Sequence, residues 1–475
     1  MIEEPESSSL HRMPSDSEVI IATETDGTGT RHKVVIPAAM TPRSLFKKPR
    51  LNTSRFPFLM ICVICCGLLL LFIILIATSA ETWFSSGGGG IDRSTDYDDG
   101  EELQEHEIVF VKHTASDERY HRAIVNDVNR KQGSWKAVYN KYASKSQSSG
   151  LLSDPESQKV FYIRNIVTNE NSTFSELMGD TILQQKKLAK MNINLPKRFD
   201  AREKWPFCES VHRVMNQGGC GSCYAVAAAA VMSDRICIES NGIEQPFISA
   251  QDLISCCPNC GGCHGTVWAL LSFNYWRDHG IVSGGSYGSY EGCKPYAQPP
   301  NCGSPCSIDI YSKKDHDHMK CRRQCQNHFS KEYEDDLYRA KSVYWVKVNK
   351  VTVSNMEMLK AALNITTESN EVIIKREIIT NGPVLACFVV YEEFQHYKSA
   401  EPENQGFNPR IYKAQTSALS KDLYGHCAKL IGWGETENGQ KYWQFMNTWG
   451  RSNWGENGFF RMADEPEEVA AGIPI

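Results

Sequence analysis

A cysteine acts as a nucleophile only as its thiolate, and a free thiol is mostly protonated at neutral pH, so a catalytic cysteine needs surroundings that favour negative charge. The stretch Gln217-Gly218-Gly219-Cys220-Gly221-Ser222-Cys223-Tyr224-Ala225 offers such surroundings to Cys223. Glycines at 218, 219 and 221 let the backbone turn tightly, and the alanine-rich run that follows, ending at Ser233-Asp234-Arg235, reads as a helix. Ser222 is placed to cap that helix, whose free N–H groups then favour charge on the sulfur. A nearby imidazolium completes the activation. The plainer alternative is a cysteine that only pairs in a disulfide.

Cys220-Gly221-Ser222-Cys223-Tyr224 resembles the signature of the papain-like cysteine peptidases. Phe199-Asp200-Ala201-Arg202-Glu203, Ser233-Asp234-Arg235-Ile236-Cys237-Ile238 and Gly292-Cys293-Lys294-Pro295-Tyr296 are most similar to the cathepsin B branch, from about Leu195 to the C-terminus. The resemblance supplies the partners of Cys223. His426, in the apolar stretch Tyr424–Gly434 that reads as strand plus turn, becomes the base. Asn447, in Phe445-Met446-Asn447-Thr448-Trp449-Gly450, accepts the imidazole N–H and fixes its tautomer, with Trp449 shielding that bond. The Gln217 amide and the Cys223 backbone N–H stabilise the oxyanion. The implied reaction is acyl transfer to Cys223, release of the amine with a proton from His426, and hydrolysis of the thioester. Outside such motifs, a histidine in an apolar strand is ordinarily structural and an asparagine after a strand is ordinarily a turn former.

The same resemblance implies an α+β, papain-like two-lobed fold: a helical lobe carrying Cys223 and a β-barrel-like lobe carrying His426 and Asn447, preceded by a propeptide and a single transmembrane helix. By family position the disulfides are Cys208 with Cys237, Cys220 with Cys263, Cys256 with Cys321, Cys257 with Cys260, Cys293 with Cys325, and Cys302 with Cys306. Spacing alone does not fix such connectivity.

At 475 residues the chain exceeds one domain of typical size. Its net charge of -5 gives no basic footprint for nucleic acid. Of 18 cysteines, Cys62, Cys65 and Cys66 lie in one apolar stretch and the rest come from Cys208 onward, which points to an oxidising compartment for that part. Zinc is the alternative for Cys256-Cys257-Pro258-Asn259-Cys260-Gly261-Gly262-Cys263. Neither metal nor cofactor is expected.

Residues 1–57 read as a disordered cytosolic tail, rich in Ser, Thr, Glu and Pro. Arg43, Lys47, Lys48, Arg50 and Arg55 precede the apolar run 58–80, long enough to span a bilayer as an uncleaved anchor with its N-terminus cytosolic. A cleaved signal peptide is the competing reading, but its apolar core holds only ~7–15 residues. Residues 81–107 form a flexible acidic linker. Residues 108–194, with an amphipathic pattern over 122–130 followed by Trp135 and Tyr139, resemble the short propeptide that silences the zymogen; a stalk domain is the alternative. Leu195-Pro196-Lys197-Arg198 opens the peptidase domain, 195–475, and a cut just before it frees a soluble enzyme, lysosomal or secreted. Asn171 and Asn364 begin glycosylation triplets.

Several positions depart from the family pattern. His426 and Asn447 follow the cysteine at more than the usual ~130–150 residues, with added length near 364–377 and 401–420. Gly265-Thr266-Val267-Trp268 carries a threonine where the family has a second glycine along the substrate backbone, which would crowd the cleft. Gly303-Ser304 stands where cathepsin B's occluding loop has paired histidines, implying mainly internal cleavage, although His316 and His318 could substitute. Cys387 and Cys427, left over after the six family disulfides, line the S2 pocket on neighbouring strands, close enough to bond if directly opposed. With Trp268 and with Pro466 near the place of cathepsin B's arginine-accepting glutamate, they imply a shallow S2 for small apolar side chains. The rival from another class is a catalytically inactive binding or matrix protein on the same fold.

Overall fold

The computed structural model describes residues 21–25, 31–35, 113–131, 133–143, 171–266, 268–300, 302–306, 319–348, 368–398, 410–452 and 454–475. The anchor 58–80, the linker 81–107, Val267, His316, His318 and Asn364 lie outside them. Among the described residues no helix is long and apolar enough to cross a membrane. The chain divides into two units, 1–100 and 101–475. In the first, β1 (Ile21–Thr25) pairs antiparallel with β2 (Arg31–Val35). Both arms carry β-branched residues, which suit a strand.

The second unit opens with α1 (Ala115–Arg130), started by a capping box in which Thr114 and Asp117 each accept the other's backbone N–H. The box starts the helix well before Arg122, where the amphipathic pattern becomes visible. Ile124, Val125 and Val128 form its buried face, and Trp135 follows, also buried. Then come α2 (Asn171–Lys190), β3 (Phe199–Asp200), α3 (Ala201–Lys204), α4 (Cys223–Glu239), α5 (Ala250–Cys256) and α6 (Leu270–Asp278). Small side chains at Ala225, Ala227, Ala228 and Ala229 let α4 be enclosed by α5, α6 and the sheet. The remaining elements are β4 (Ala340–Lys347), α7 (Asn370–Asn381), β5 (Val384–Tyr391), β6 (Asp422–Glu435), β7 (Lys441–Met446), β8 (Phe459–Met462) and β9 (Glu468–Pro474).

These strands and β3 make one antiparallel sheet in the order β4-β9-β5-β6-β7-β8, with β3 added against β6. The sheet is open, with β4 and β8 at its edges, where a barrel-like lobe was expected. Side chains of α2, not another strand, meet the free edge of β4.

Two buried ion pairs join the helical lobe to the sheet lobe: Asp234 with Lys429, 2.9 Å, and Arg235 with Glu377, 2.8 Å. Removing one partner of such a pair costs about 3–5 kcal/mol, because the other charge is left buried alone. Both acids and bases lie on the elements that carry the chemistry, α4 and β6, or on α7 beside them. The pairs thereby hold the cysteine helix in register with the histidine strand.

Candidate active site

Cys223 is the first residue of α4 and fully buried. Ser222 is the N-cap residue but makes no side-chain capping bond. Its hydroxyl meets Tyr296 Oη at 2.6 Å, and Tyr296 donates onward to the Gln217 carbonyl at 2.9 Å. This corrects the expected cap: a better-placed phenol, distant in sequence, takes the serine. Disulfide Cys220–Cys263 and the bond from Gly221 N–H to the Cys263 carbonyl, 2.9 Å, fix the turn that delivers Cys223.

Strand β6 brings the imidazole. His426 Nε2 lies 2.7 Å from Asn447 Oδ1, and the Thr448 N–H donates to that same oxygen at 2.8 Å. Two donors converging on Oδ1 orient the amide and put the ring proton on Nε2, which leaves Nδ1 as the acceptor for the thiol proton. The Trp449 ring lies 5.0 Å from the imidazole, and the Phe388 ring meets it edge-on at 5.7 Å, so the bond is shielded from water. The next residue on β6, Cys427, points its N–H at Cys223 Sγ, 3.3 Å away. Burial pushes the Cys223 thiol up to about 12, against the backbone N–H groups of Cys427 and Tyr224. Burial also pulls His426 down to about 4, against the Asn447 bond. Both shifts have desolvation as their main cause, since each group is fully enclosed. Gln217 is held on both sides: its amide donates to the Cys220 carbonyl at 2.8 Å, and Thr448 Oγ1 donates to its carbonyl oxygen at 2.6 Å.

A wall of bulky and sulfur-bearing residues flanks Cys223. Cys387 and Cys427 are directly opposed on β5 and β6 and joined by a disulfide with Cα atoms 4.0 Å apart. Glu468, the first residue of β9, stands opposite Cys387. Its carboxylate accepts Trp345 Nε1–H at 2.9 Å, and burial pushes it up to about 7, against the N–H groups of Ala269 and Leu270 at the start of α6. Trp268 sits edge-on to Trp345 at 5.9 Å, and the Thr266 hydroxyl turns away to the Trp268 carbonyl at 3.1 Å. Gly265 has φ near 87°, a left-handed conformation that suits glycine. Pro466 is not the residue beside the disulfide: its carbonyl accepts from Lys347 Nζ, and the acid at that wall is Glu468, two positions later. The short connection after β8 brings Glu467, whose N–H donates to the Cys387 carbonyl at 2.8 Å, and Glu468, rather than Pro466, against β5. The signal missed in the sequence is an acidic pair, Glu467-Glu468, leading straight into the apolar strand Val469–Ile473.

The structure also joins Cys208 to Cys237, Cys256 to Cys321, Cys257 to Cys260, Cys293 to Cys325 and Cys302 to Cys306. Each of the four sulfurs from Cys256 to Cys263 is bonded to another sulfur, so none is left as a thiolate for zinc. Among the described residues Cys223 is the free cysteine. Residues 140–142 lie over the 302–306 turn: Asn140 Nδ2 donates to the Ser304 carbonyl at 2.7 Å, Ser304 Oγ donates to the Trp449 carbonyl at 2.6 Å, and a Cβ at Gly303 would meet the Tyr142 ring. Asn171 opens α2.

A thiol at a helix start, touched by the strand that carries an amide-held imidazole, suits acyl transfer from an amide to sulfur, the chemistry of a cysteine peptidase. The family model for papain family cysteine protease matches residues 195–473, and the chain belongs to that family. It is cathepsin B-like. Cathepsin B-like cysteine proteinase 1 of Ostertagia ostertagi is 38% identical over 286 residues, 60% of this chain and 72% of that protein. Cathepsin B-like cysteine proteinase 3 of Caenorhabditis elegans is 34% identical over 368 residues, 74% of this chain and 82% of that protein. Among solved structures, proCathepsin B S9 from Trypanosoma congolense superposes with a TM-score of 0.50 at 26% identity, covering 74% of this chain and 98% of its own.

Proposed function

We propose that the chain hydrolyses peptide bonds with Cys223 as nucleophile, His426 as acid and base, Asn447 as the group that orients the imidazole, and Gln217 with the Cys223 N–H as oxyanion donors. The observation that carries this reading is the pair of contacts made from β6: His426 on Asn447 at 2.7 Å and the adjacent Cys427 N–H on Cys223 Sγ at 3.3 Å. The first supports the orienting role of Asn447, and the second, made by the residue next to His426, supports the pairing of that strand with the thiol. A proton passes from Cys223 to His426, the thiolate forms a thioester as the peptide C–N bond breaks, the amine leaves with the histidine's proton, and water restores the acid and the thiol. An epoxide peptide inhibitor should alkylate Cys223 in chain cut near Leu195. An unlabelled Cys223 in that processed chain would favour the inactive binding protein instead.

Residues 108–194 serve as propeptide to a peptidase domain over 195–475, acting on peptide or protein substrates once the propeptide is cut. Basic residues before 58–80 and acidic ones after it support a membrane anchor with a lumenal or extracellular enzyme, and a cut before Leu195 releases it to a lysosomal or secreted fate. Glycans at Asn171 and Asn364 fit that side of the membrane.

Cleavage is mainly internal, because Gly303-Ser304 offers no cation for a substrate's terminal carboxylate. Efficient release of C-terminal dipeptides would overturn this. At P2 small apolar side chains are preferred. Trp268, Trp345 and the Cys387–Cys427 bond take up space beside the thiol, and Glu468, already accepting from Trp345 and raised to about 7, is a poor partner for arginine. A peptide library decides the point, and strong selection of arginine at P2 would end it.

A further inference from the structure

The edge strand of an open sheet presents unpaired N–H and C=O groups that must be covered or solvated. In this protein the exposed edge of β4 is covered by α2. Asp180 accepts the Val343 N–H at 3.3 Å, Thr181 Oγ1 accepts the Trp345 N–H at 3.2 Å, and the Gln185 amide donates to the Val346 carbonyl. Gln184 reaches further in and donates at 2.8 Å to Glu377, the carboxylate that also takes Arg235 of α4, Tyr344 of β4 and Asn381. At the other end of α2, where the last carbonyls of a helix lack partners, the Arg376 guanidinium donates to the carbonyls of Leu188 and Ala189 at 3.1 and 3.0 Å. Thr181, Gln184, Gln185 and Leu188, spaced for one helix face, are all buried.

These bonds complete the catalytic domain instead of obstructing it. They end on β4 and α7, behind the helix that carries Cys223, and they close the inter-lobe pair Arg235–Glu377 from solvent. Directly after α2 the chain changes character: Asn192, Asn194, Pro196, Lys197 and Arg198 are exposed and belong to no helix or strand. A protease therefore reaches the connection without disturbing α2.

We propose that the β4 edge is a permanent docking surface whose occupant is this chain's own α2, which stays bound as a second, non-covalent chain after the enzyme is processed. The proposal rests on the reading of residues 108–194 as a cleaved segment. Processing adds one water across a peptide bond between Met191 and Arg198 and another across a bond before Asn171, leaving a carboxylate and an amine at each cut. The part carrying α1 departs, and α2 remains.

The test uses full-length Cys223→Ala protein, which cannot cut itself, nicked with trypsin at low ratio, then passed over a native sizing column at pH 5 and analysed by intact mass. The expected result is a peptide containing residues 171–190 co-eluting with the 199–475 chain at a 1:1 ratio and separating only in denaturant. Gln184→Ala with Arg376→Ala removes bonds from the buried face and from the C-terminal end of α2 and should weaken its retention roughly tenfold or more, while the nicked 199–475 chain still elutes as a folded species. A folded 199–475 chain that elutes without α2 overturns the proposal. Labelling of Cys223 in parallel wild-type protein is read separately, so an inactive but two-chain product would sink the peptidase reading and leave this one standing.

Discussion

Where α1 and the run up to Ala143 lie against Glu392–Tyr397 and the 411–421 loop, histidines stand among the buried contacts; where α2 lies against β4 and α7, the contacts are amides, a hydroxyl, backbone groups, the Asp180 carboxylate and the ion-paired carboxylate Glu377. At the first surface His396 Nδ1 accepts the Asn140 N–H at 3.1 Å and Nε2 meets His121 Nδ1 at 3.2 Å, with His113 stacked on His121 at 4.9 Å and Tyr139 stacked on His396 at 6.1 Å. Around them Tyr120 donates to Glu392, Asp127 accepts from Ser417, and Glu393 accepts from Thr416 and Ser417. One leading segment thus holds on by two kinds of bond. Mild acid can act on the histidines of the first, whereas the second offers it only the carboxylates Asp180 and Glu377, so the difference separates a removable inhibitor from a lasting part of the enzyme.

The largest expected effect provides the background for every other test. Cys223→Ala should lower turnover of a fluorogenic peptide on the order of 10^5-fold or more, since the nucleophile of a concerted site is gone. It should leave both docking surfaces intact, because Cys223 touches neither. A change in hydrogen exchange of α1 or α2 in this variant would break the comparison at the outset.

Next in size is the response to pH. Burial, with help from His121 and His113, pulls His396 down from 6.5 to about 3, so the docked ring is neutral. The undocked ring takes its proton near pH ~6.5. The undocked state therefore binds more protons between those values, and docking of α1 weakens as pH falls from ~6.5 toward 3. Protonation at Nδ1 would also set a donor against the Asn140 N–H. Asp127, held below its ordinary value first by the Ser417 hydroxyl, adds loosening in the same direction at the acid end. Glu393 opposes it: burial raises this carboxyl from 4.5 to about 7, which favours the docked state as pH falls between those values. Between pH 7 and 5 the two contributions nearly cancel, and the histidine, helped by Asp127, prevails only below about pH 4, where the net effect is release. On the Cys223→Ala background, α1 amides should exchange at similar rates at pH 7 and pH 5 and about tenfold faster near pH 3.5, after correction for intrinsic rates, and α2 amides should not show that rise. His396→Phe should turn that rise into a slowing of α1 exchange between pH 7 and 5, whatever it does to the level, because Glu393 then acts without the histidine against it. Parallel loosening of both helices would erase the distinction.

How much of this was legible in the sequence depends on how local the signal is. Cys223, His426 and Asn447, which the fold gathers, each sit in a contiguous motif that can be read without knowing the fold. Glu468 was misplaced because its identity turns on counting through a connection of altered length, where a shift of two positions exchanges Pro466 for Glu468. Ser222 looked like a cap because Tyr296, its actual partner, is 74 residues away. The start of α1 was legible in Thr114 and Asp117 but was passed over for the apolar pattern further on. The buried face of α2 has helical spacing at 181, 184, 185 and 188, yet three of the four residues are polar, so a search for apolar periodicity does not find it. Polar residues occupy that face because a strand edge, unlike a side-chain core, asks for hydrogen bonds.

The smallest effect gives the sharpest test of whether the two surfaces are independent. Tyr120 donates to Glu392 at 2.6 Å, and Glu392 also accepts the Lys421 N–H at 3.1 Å. Tyr120→Phe keeps the ring and deletes one bond to a charged acceptor without leaving the carboxylate unpartnered. The loss belongs at the lower end of the range for such bonds, about 1.5 kcal/mol, or roughly tenfold in the open population of α1. Its size should be similar at pH 7 and pH 5, because the deleted phenol does not titrate in that range, and in this it differs from His396→Phe. Exchange at the amides of α2 should stay within twofold of the parent. If Tyr120→Phe speeds exchange in α2 as much as in α1, the segment comes off as a single cooperative unit, and the chemistry that separates the two surfaces has no consequence for how the enzyme is released.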